Sequence, residues 1–360
     1  YRRTFEAAPR TGRRLLLHFE QSDFRTQVFV NGREAGLPHE GGFLPFSYDV
    51  TELVREGANE ILVMVWDATN SNIGSIGKQD VKPHGCMYTR VSGLYGTVWL
   101  EEVPETYVAG YRVTPDIDAG TVRFAFDVAG AKRATVPVEV RIGDLRAVAD
   151  VNGEVSVQMP MGFRLWSPEE PNLYDFTATC GKDVVRGYFG MRKFDMAPDA
   201  KGVLRFRLNN KFRYILGTLD QGWWPDGLLT PPSEEAMAWD IKLLKEAGFD
   251  MMRKHIKVEP RRYYALCDRL GILVVQDMPT GWGNLEARYG FYRRELKEMI
   301  DHLYSVPSIV MWVPYNEAWG QPGPVQTRNT LLWTRRYDPS RLVDGPSGWR
   351  DYEGGDLGWK

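Results

Sequence analysis

The rhythm of this chain changes near residue 196, and that change limits the folds open to it. Beyond that point strand-like runs alternate with helical ones. Arg213–Gly217, Phe249–Ile256, Ile272–Asp277 and Ile309–Tyr315 predict four strands, and Arg341–Asp344 begins a fifth. Between them, Glu234–Ala247, Arg261–Leu270 and Phe291–Leu303 predict helices. The first helix has Ser233 placed as N-cap, Met237, Ile241 and Leu244 on one face, and Gly248 past its end. Gly271 closes the second. Such alternation is the signature of a parallel sheet covered by helices, either a barrel or a doubly wound sheet. No glycine-rich phosphate loop follows these strands, which argues against a nucleotide site.

Upstream the pattern is all-β. In residues 1–104, Arg14–Glu20, Gln27–Val30 and Glu60–Trp66 are short strands punctuated by Asn31-Gly32, Gly41-Gly42 and Gly57-Ala58-Asn59. This predicts a sandwich or jelly roll. Asp67–Gly85 is a long loop, a kind that is usually functional or mobile. Residues 105–195 form a second all-β block. In Thr121–Val128 apolar even positions alternate with mostly polar odd ones, as in a half-buried sandwich strand. Arg164–Tyr174 is a proline-rich corner.

A net charge of −2 offers no reason to expect nucleic acid or an anionic membrane as partner, and no apolar run is long enough to span a bilayer. Cys86, Cys180 and Cys267 are odd in number and lack metal-ligand spacing. Cys267 lies with Tyr263, Leu266 and Leu270 on one helical stripe, a core position. Neither metal nor cofactor is expected. The first residue is not methionine and no signal peptide follows, so the compartment stays open between cytoplasm and periplasm or exterior. The 12 Trp and 17 Tyr fit large cores, and equally fit stacking on sugar rings.

Polar groups recur at successive predicted strand ends. Asp220 and Gln221 follow the first, Arg253 and His255 lie at the second, Asp277 ends the third and Asn316-Glu317 ends the fourth. Barrels place their chemistry at such ends. The aromatic setting of Glu317 is one that raises a carboxyl pKa enough for a general acid. Asn59-Glu60 is the internal control: there the same dipeptide precedes a strand and is turn punctuation. Plainer readings stand beside these, with Arg253 and Asp277 as a structural bridge and His255 as a hydrogen-bonded core histidine.

Three blocks of the sequence resemble glycoside hydrolase family 2, which includes β-galactosidases, β-glucuronidases and β-mannosidases. The first is similar to its sugar-binding jelly roll through Val30–Glu34, Gly41–Phe46 and Ser92–Leu100. The second resembles its immunoglobulin-like β-sandwich. The third resembles its catalytic (β/α)8 TIM barrel through Gly248–His255, Asp277-Met278-Pro279 and Pro307–Glu317. The resemblance implies a multidomain fold: jelly roll over 1–104, immunoglobulin-like sandwich over 105–195 and the first part of a barrel over 196–360, truncated at both ends.

It also implies a retaining β-glycosidase acting on a β-glycoside, possible as a homo-oligomer. Glu317 takes the part of acid/base and Asn316 hydrogen-bonds the sugar 2-hydroxyl. Arg253 and Asp277 shape the floor of the site, and Trp319 and Trp224 are sugar platforms. Two departures stand out. Val306 replaces the histidine that commonly precedes Pro-Ser in this family. The family's nucleophile comes from the seventh strand, and this chain ends near the fifth. Glu259, Glu286 and Asp277 are poor substitutes, so the fragment alone is expected to be inactive. A carbohydrate-binding protein without hydrolysis, or a structural sandwich protein, are the competing readings.

Overall fold

The computed structural model describes residues 1–8, 10–71, 74–130, 136–149, 153–281, 288–348 and 350–357. The first sandwich packs one sheet built on Arg2–Ala7, Gly57–Trp66 and Arg25–Val30 against another of Val98–Pro104, Arg13–Phe19 and Phe46–Asp49. Leu17, Phe19, Val28, Val30 and Val63 fill the space between them. Asn31 and Gly32 both have positive φ, 49° and 77°, the conformation that a two-residue hairpin turn demands.

The second sandwich sets Thr106–Asp116, Thr121–Gly130 and Glu154–Gln158 against a four-stranded sheet ending in Tyr174–Cys180 and Asp183–Phe189. The even positions Val122, Phe124, Phe126 and Val128 are buried, as their alternation predicts. The proline-rich corner carries Trp166 into contact with the third unit. Its ring is fully buried and its Nε1–H donates to the Asp268 carbonyl at 2.8 Å.

The third unit is a parallel five-stranded sheet in sequential order: β1 Gly217–Asp220, β2 Met251–Lys254, β3 Leu273–Asp277, β4 Ile309–Val313 and β5 Leu342–Val343. Among the described residues four helices cover it: α1 Glu234–Glu246, α2 Arg261–Leu270, α3 Tyr289–Leu303 and α4 Pro324–Tyr337. Ser233 caps α1, accepting from the Ala236 N–H at 3.1 Å, and Gly248 follows with φ +87°. Every residue of β3 and β4 is buried, as expected of strands covered on both faces. The architecture is therefore a jelly roll, an immunoglobulin-like sandwich and part of a TIM-type barrel.

Two local expectations fail. The first barrel strand is not Arg213–Gly217 but starts at Gly217. Arg213 is tied to Glu169 and Asp250, and Tyr214 is exposed, so residues 213–216 are a lead-in with backbone bonds at its two ends, Arg213 to the Phe206 carbonyl and Met251 to the Leu216 carbonyl, but no strand of its own. α4 was not foreseen. It buries threonines rather than a stripe of large apolar residues. Thr330 and Thr334 return their hydroxyls to the carbonyls of Gln326 and Thr330, each at 2.9 Å, which hides polar side chains inside a helix face.

Candidate active site

The strand ends converge on Arg253. Its Nε donates to Asp277 Oδ1 at 2.8 Å and its Nη2 to Asp277 Oδ2 at 2.9 Å, a two-pronged pair with a fully buried carboxylate. Nη2 also donates to Asn316 Oδ1 at 2.9 Å and Ser347 Oγ at 2.7 Å. His255 Nδ1 lies 2.7 Å from Asp277 Oδ2. The two plain readings of these residues are thus both met: a bridge and a buried histidine. They belong to one network, and its outer edge is Asn316.

A guanidinium can only donate, so the Asn316 atom facing Arg253 is the amide oxygen. That turns its Nδ2 away from the hub, where it donates to none of the described residues. Burial pulls the Arg253 pKa down, but Asp277, with Asp344 and Glu317, more than reverses this and holds it above its ordinary value. The guanidinium is a fixed positive charge.

The backbone turns abruptly at Glu317. After β4 the chain forms a second short pairing, Tyr315–Asn316 with Pro346–Ser347. Glu317 then takes φ +50° and its N–H donates to the Ser347 carbonyl at 3.1 Å. A left-handed conformation outside glycine is a local cost that surrounding contacts must hold. The aromatic enclosure expected of Glu317 is not there. Trp312 and Tyr315 point into the core, where Tyr315 bonds Thr330 at 3.1 Å, and Glu317 itself is exposed. Trp319 does turn to the site: it is buried, with its ring centroid 6.4 Å from that of His255.

Asp220 and Trp224 do not join this network. Asp220 closes β1 on its helix-facing side, paired with Lys254 at 2.7 Å and bonded by Tyr263 Oη at 2.9 Å. Side chains alternate along a strand, so Lys254 and Asp220 point away from the face that Arg253 occupies. Trp224 pairs its backbone with Leu228 and packs on the core around Met237. Its neighbour Trp223 stacks on Tyr88 at 4.5 Å. Glu259 is buried between Lys254 at 2.9 Å and Lys257 at 3.0 Å. Glu286 lies outside the described residues. Among those described, no group of three or more His, Cys, Asp or Glu side chains could hold a metal ion. No helix among them is long and apolar enough to cross a membrane.

Three neighbours of the site escaped the sequence reading. Asp344, just past β5, faces Arg253 and Asp277, and its pKa is raised to about 6, burial outweighing the attraction of Arg253. The strand-end rule that found Asp277 applies to it equally. Ser347 carries no signal in one dimension. Lys78 lies in the long loop of the first sandwich, whose destination only the fold reveals.

The whole arrangement matches one family. Three profiles fit in order: "Glycosyl hydrolases family 2, sugar binding domain" over residues 1–104, "Glycosyl hydrolases family 2" over 106–192, and "Glycosyl hydrolases family 2, TIM barrel domain" over 231–353. The chain belongs to glycoside hydrolase family 2. It is 27% identical over 326 residues to a putative β-glucuronidase of Formosa agariphila, covering 85% of this chain and 38% of that protein. With a β-galactosidase of Thermoanaerobacter pseudethanolicus the identity is 26%, over 98% of this chain and 49% of that one. Among solved structures it resembles an FMN-binding β-glucuronidase from Facaelibacterium prausnitzii L2-6, with a TM-score of 0.80 and 26% identity over 95% of this chain and 56% of that one. The chain thus spans between about a third and somewhat over half of the length of such relatives.

Proposed function

We propose that the protein is a β-glycosidase that hydrolyses terminal β-glycosides by double displacement, with Glu317 as proton donor and then base. The observation that carries this reading is the Arg253 hub. One guanidinium ties Asp277, Asn316 and Ser347 together, and Glu317 follows Asn316 directly at the rim. A carboxylic acid there can protonate the leaving glycosidic oxygen, while the Asn316 amide donates to the sugar 2-hydroxyl. That second contact strengthens as positive charge develops at the anomeric carbon, so it lowers the barrier rather than merely holding the substrate.

Retention needs a second carboxylate ~5–5.5 Å from the first. Asp277, Glu259 and Asp220 are each held by a cation: Arg253, the two lysines and Lys254. We assign the nucleophile to a segment of the barrel outside these 360 residues. Relatives named β-galactosidase and β-glucuronidase support galactose and glucuronic acid as candidate sugars.

The test is covalent trapping in the full-length enzyme with 2-deoxy-2-fluoro-β-glycosyl fluorides of glucose, galactose, mannose and glucuronic acid. A labelled peptide carrying a carboxylate outside residues 1–360 supports the assignment. A label on Asp277, Asp344 or any other carboxylate within them overturns it. Specific binding of these sugars without label or turnover favours the non-hydrolytic carbohydrate-binding protein.

A further inference from the structure

The chain takes a strained turn directly after His255. β2 ends at Lys254, and the His255 N–H still pairs with the Asp220 carbonyl at 2.8 Å. Ile256 then adopts φ +57° and is buried. A β-branched residue in the left-handed region is a genuine outlier. It persists only where the surrounding contacts leave the backbone no alternative.

Those contacts come from three sides. Lys257 is buried, and its Nζ donates to the Gly222 carbonyl at 2.7 Å and the Leu229 carbonyl at 2.8 Å, both in the segment joining β1 to α1. The same ammonium pairs with Glu259 Oε2 at 3.0 Å. Gly222 has φ +67°, and a Cβ there would meet Lys257 Cδ at 2.7 Å, so this segment closes directly on the lysine stem. From β3, Gln276 Nε2 donates to the Lys257 carbonyl at 2.9 Å, and its Oε1 accepts from Tyr264 Oη at 2.6 Å. The first sandwich supplies the third side. Gln21 Nε2 donates to the Val258 carbonyl at 3.0 Å. The long loop brings Gly77 so near that a Cβ there would meet the Ile256 carbonyl at 2.9 Å. That loop is anchored on the barrel by the Gly77 N–H, which donates to the Thr280 carbonyl at 2.9 Å, and by Ser75, whose N–H and Oγ–H donate to Glu295 Oε2 on α3 at 3.0 and 2.9 Å.

The turn sets the place of the imidazole one residue before it. His255 Nδ1 lies 2.7 Å from Asp277 Oδ2, the oxygen that also accepts from Arg253 Nη2. Arg253 Nη2 in turn orients Asn316. Relaxation of Ile256 toward an ordinary φ would swing the backbone that carries His255 and draw the ring off Asp277. Lys257 spends its ammonium on the neighbouring segment and Glu259, away from this network, so it acts on the rim only through the turn.

We infer that Lys257 is a positioning residue: it locks the left-handed turn at Ile256 and thereby holds the His255 imidazole on Asp277, within the network that orients Asn316. This rests on the rim being the glycosidase site proposed above. An apolar side chain of similar length fills the same space but binds no carbonyl of the β1–α1 segment. The lysine thus couples the first two strand ends of the barrel.

The experiment is steady-state kinetics of the full-length enzyme on p-nitrophenyl β-galactoside, β-glucuronide and β-mannoside, with Lys257→Met made both alone and together with Ile256→Gly. Glycine adopts a left-handed φ at no steric cost, so a glycine turn needs no lock. Alone, Lys257→Met should lower kcat about tenfold with KM changed by less than about threefold. In the Ile256→Gly background the same substitution should lower kcat by less than about twofold, the non-additivity of two changes to one device. A lysine that merely supported the fold would lower the melting temperature and leave the kcat of the folded enzyme unchanged in both backgrounds. If Lys257→Met does not fold, Gln276→Leu removes the clamp on the Lys257 carbonyl and is read in the same two backgrounds. An equal loss of kcat in both, or an unchanged kcat, overturns the inference and leaves the glycosidase reading standing. Absence of turnover of all three glycosides by the unsubstituted enzyme overturns that reading and this inference together.

Discussion

Arg253 Nη2 reaches Asn316 Oδ1 at 2.9 Å, across the end of β3, and this one bond decides which way the Asn316 amide faces. Oxygen is turned to the guanidinium and nitrogen away from it. Asp277 does not compete for that role, because Arg253 and His255 engage both its oxygens. The hub thus fixes one orientation of the Asn316 amide beside Glu317.

Asn316→Ala removes that donor. In the full-length enzyme kcat is expected to fall ~10²–10³-fold, as for other transition-state donors, with KM within about threefold. Steady-state kinetics on an aryl β-glycoside decide it. Unchanged kcat with raised KM would assign Asn316 to ground-state binding only.

Arg253→Lys keeps the charge but loses the fork. A lysine cannot hold Asp277 through two prongs and still reach Asn316 and Ser347. Loss of kcat/KM by ~10²-fold is expected, with a lowered melting temperature, because the fully buried Asp277 loses part of its compensation. Comparing kcat/KM with thermal melts separates the catalytic loss from the structural one.

The docking of the loop on α3 should depend on pH through Glu295. Burial raises its pKa from the ordinary 4.5 to about 8, against the donors of Ser75. A carboxyl raised by folding contributes stability that is complete below its unfolded pKa and lost as pH rises through the folded one. The stabilising contribution is therefore full below about 4.5 and gone above about 8. The melting temperature of the 360-residue chain should drop between pH 6 and pH 9 by several degrees, ~1–3 kcal/mol of stability. In Glu295→Gln, which is neutral at both pH values, that drop should shrink. A drop of equal size in the variant would place its cause elsewhere.

Much of this was legible in one dimension, and the failures share a physical cause. β3 and β4 announced themselves because strands buried on both faces are uninterrupted apolar runs, and Asp277 and Asn316-Glu317 stood where those runs stop. α1 and α2 announced themselves by caps and stripes. What depends on which face a residue points to was not legible. Asp220 ends a strand as Arg253 nearly does, yet alternation sends it to the helix layer and into the Lys254 pair. The enclosure of Glu317 was inferred from aromatic neighbours in sequence, but Trp312 and Tyr315 turn inward from the same segment. Lys78 is more than two hundred residues from Trp319, and no local pattern predicts their contact.

The residue proposed to give a proton to the leaving group is Glu317. Its most direct test is kcat/KM of Glu317→Gln in the full-length enzyme across aryl β-glycosides of rising leaving-group pKa, extended to a natural disaccharide. Poor leaving groups need protonation and activated ones do not. A modest loss is expected with dinitrophenyl glycosides, growing steeply to ~10³-fold or more for the disaccharide. A uniform loss across the series, or near-normal turnover of the disaccharide, would contradict it.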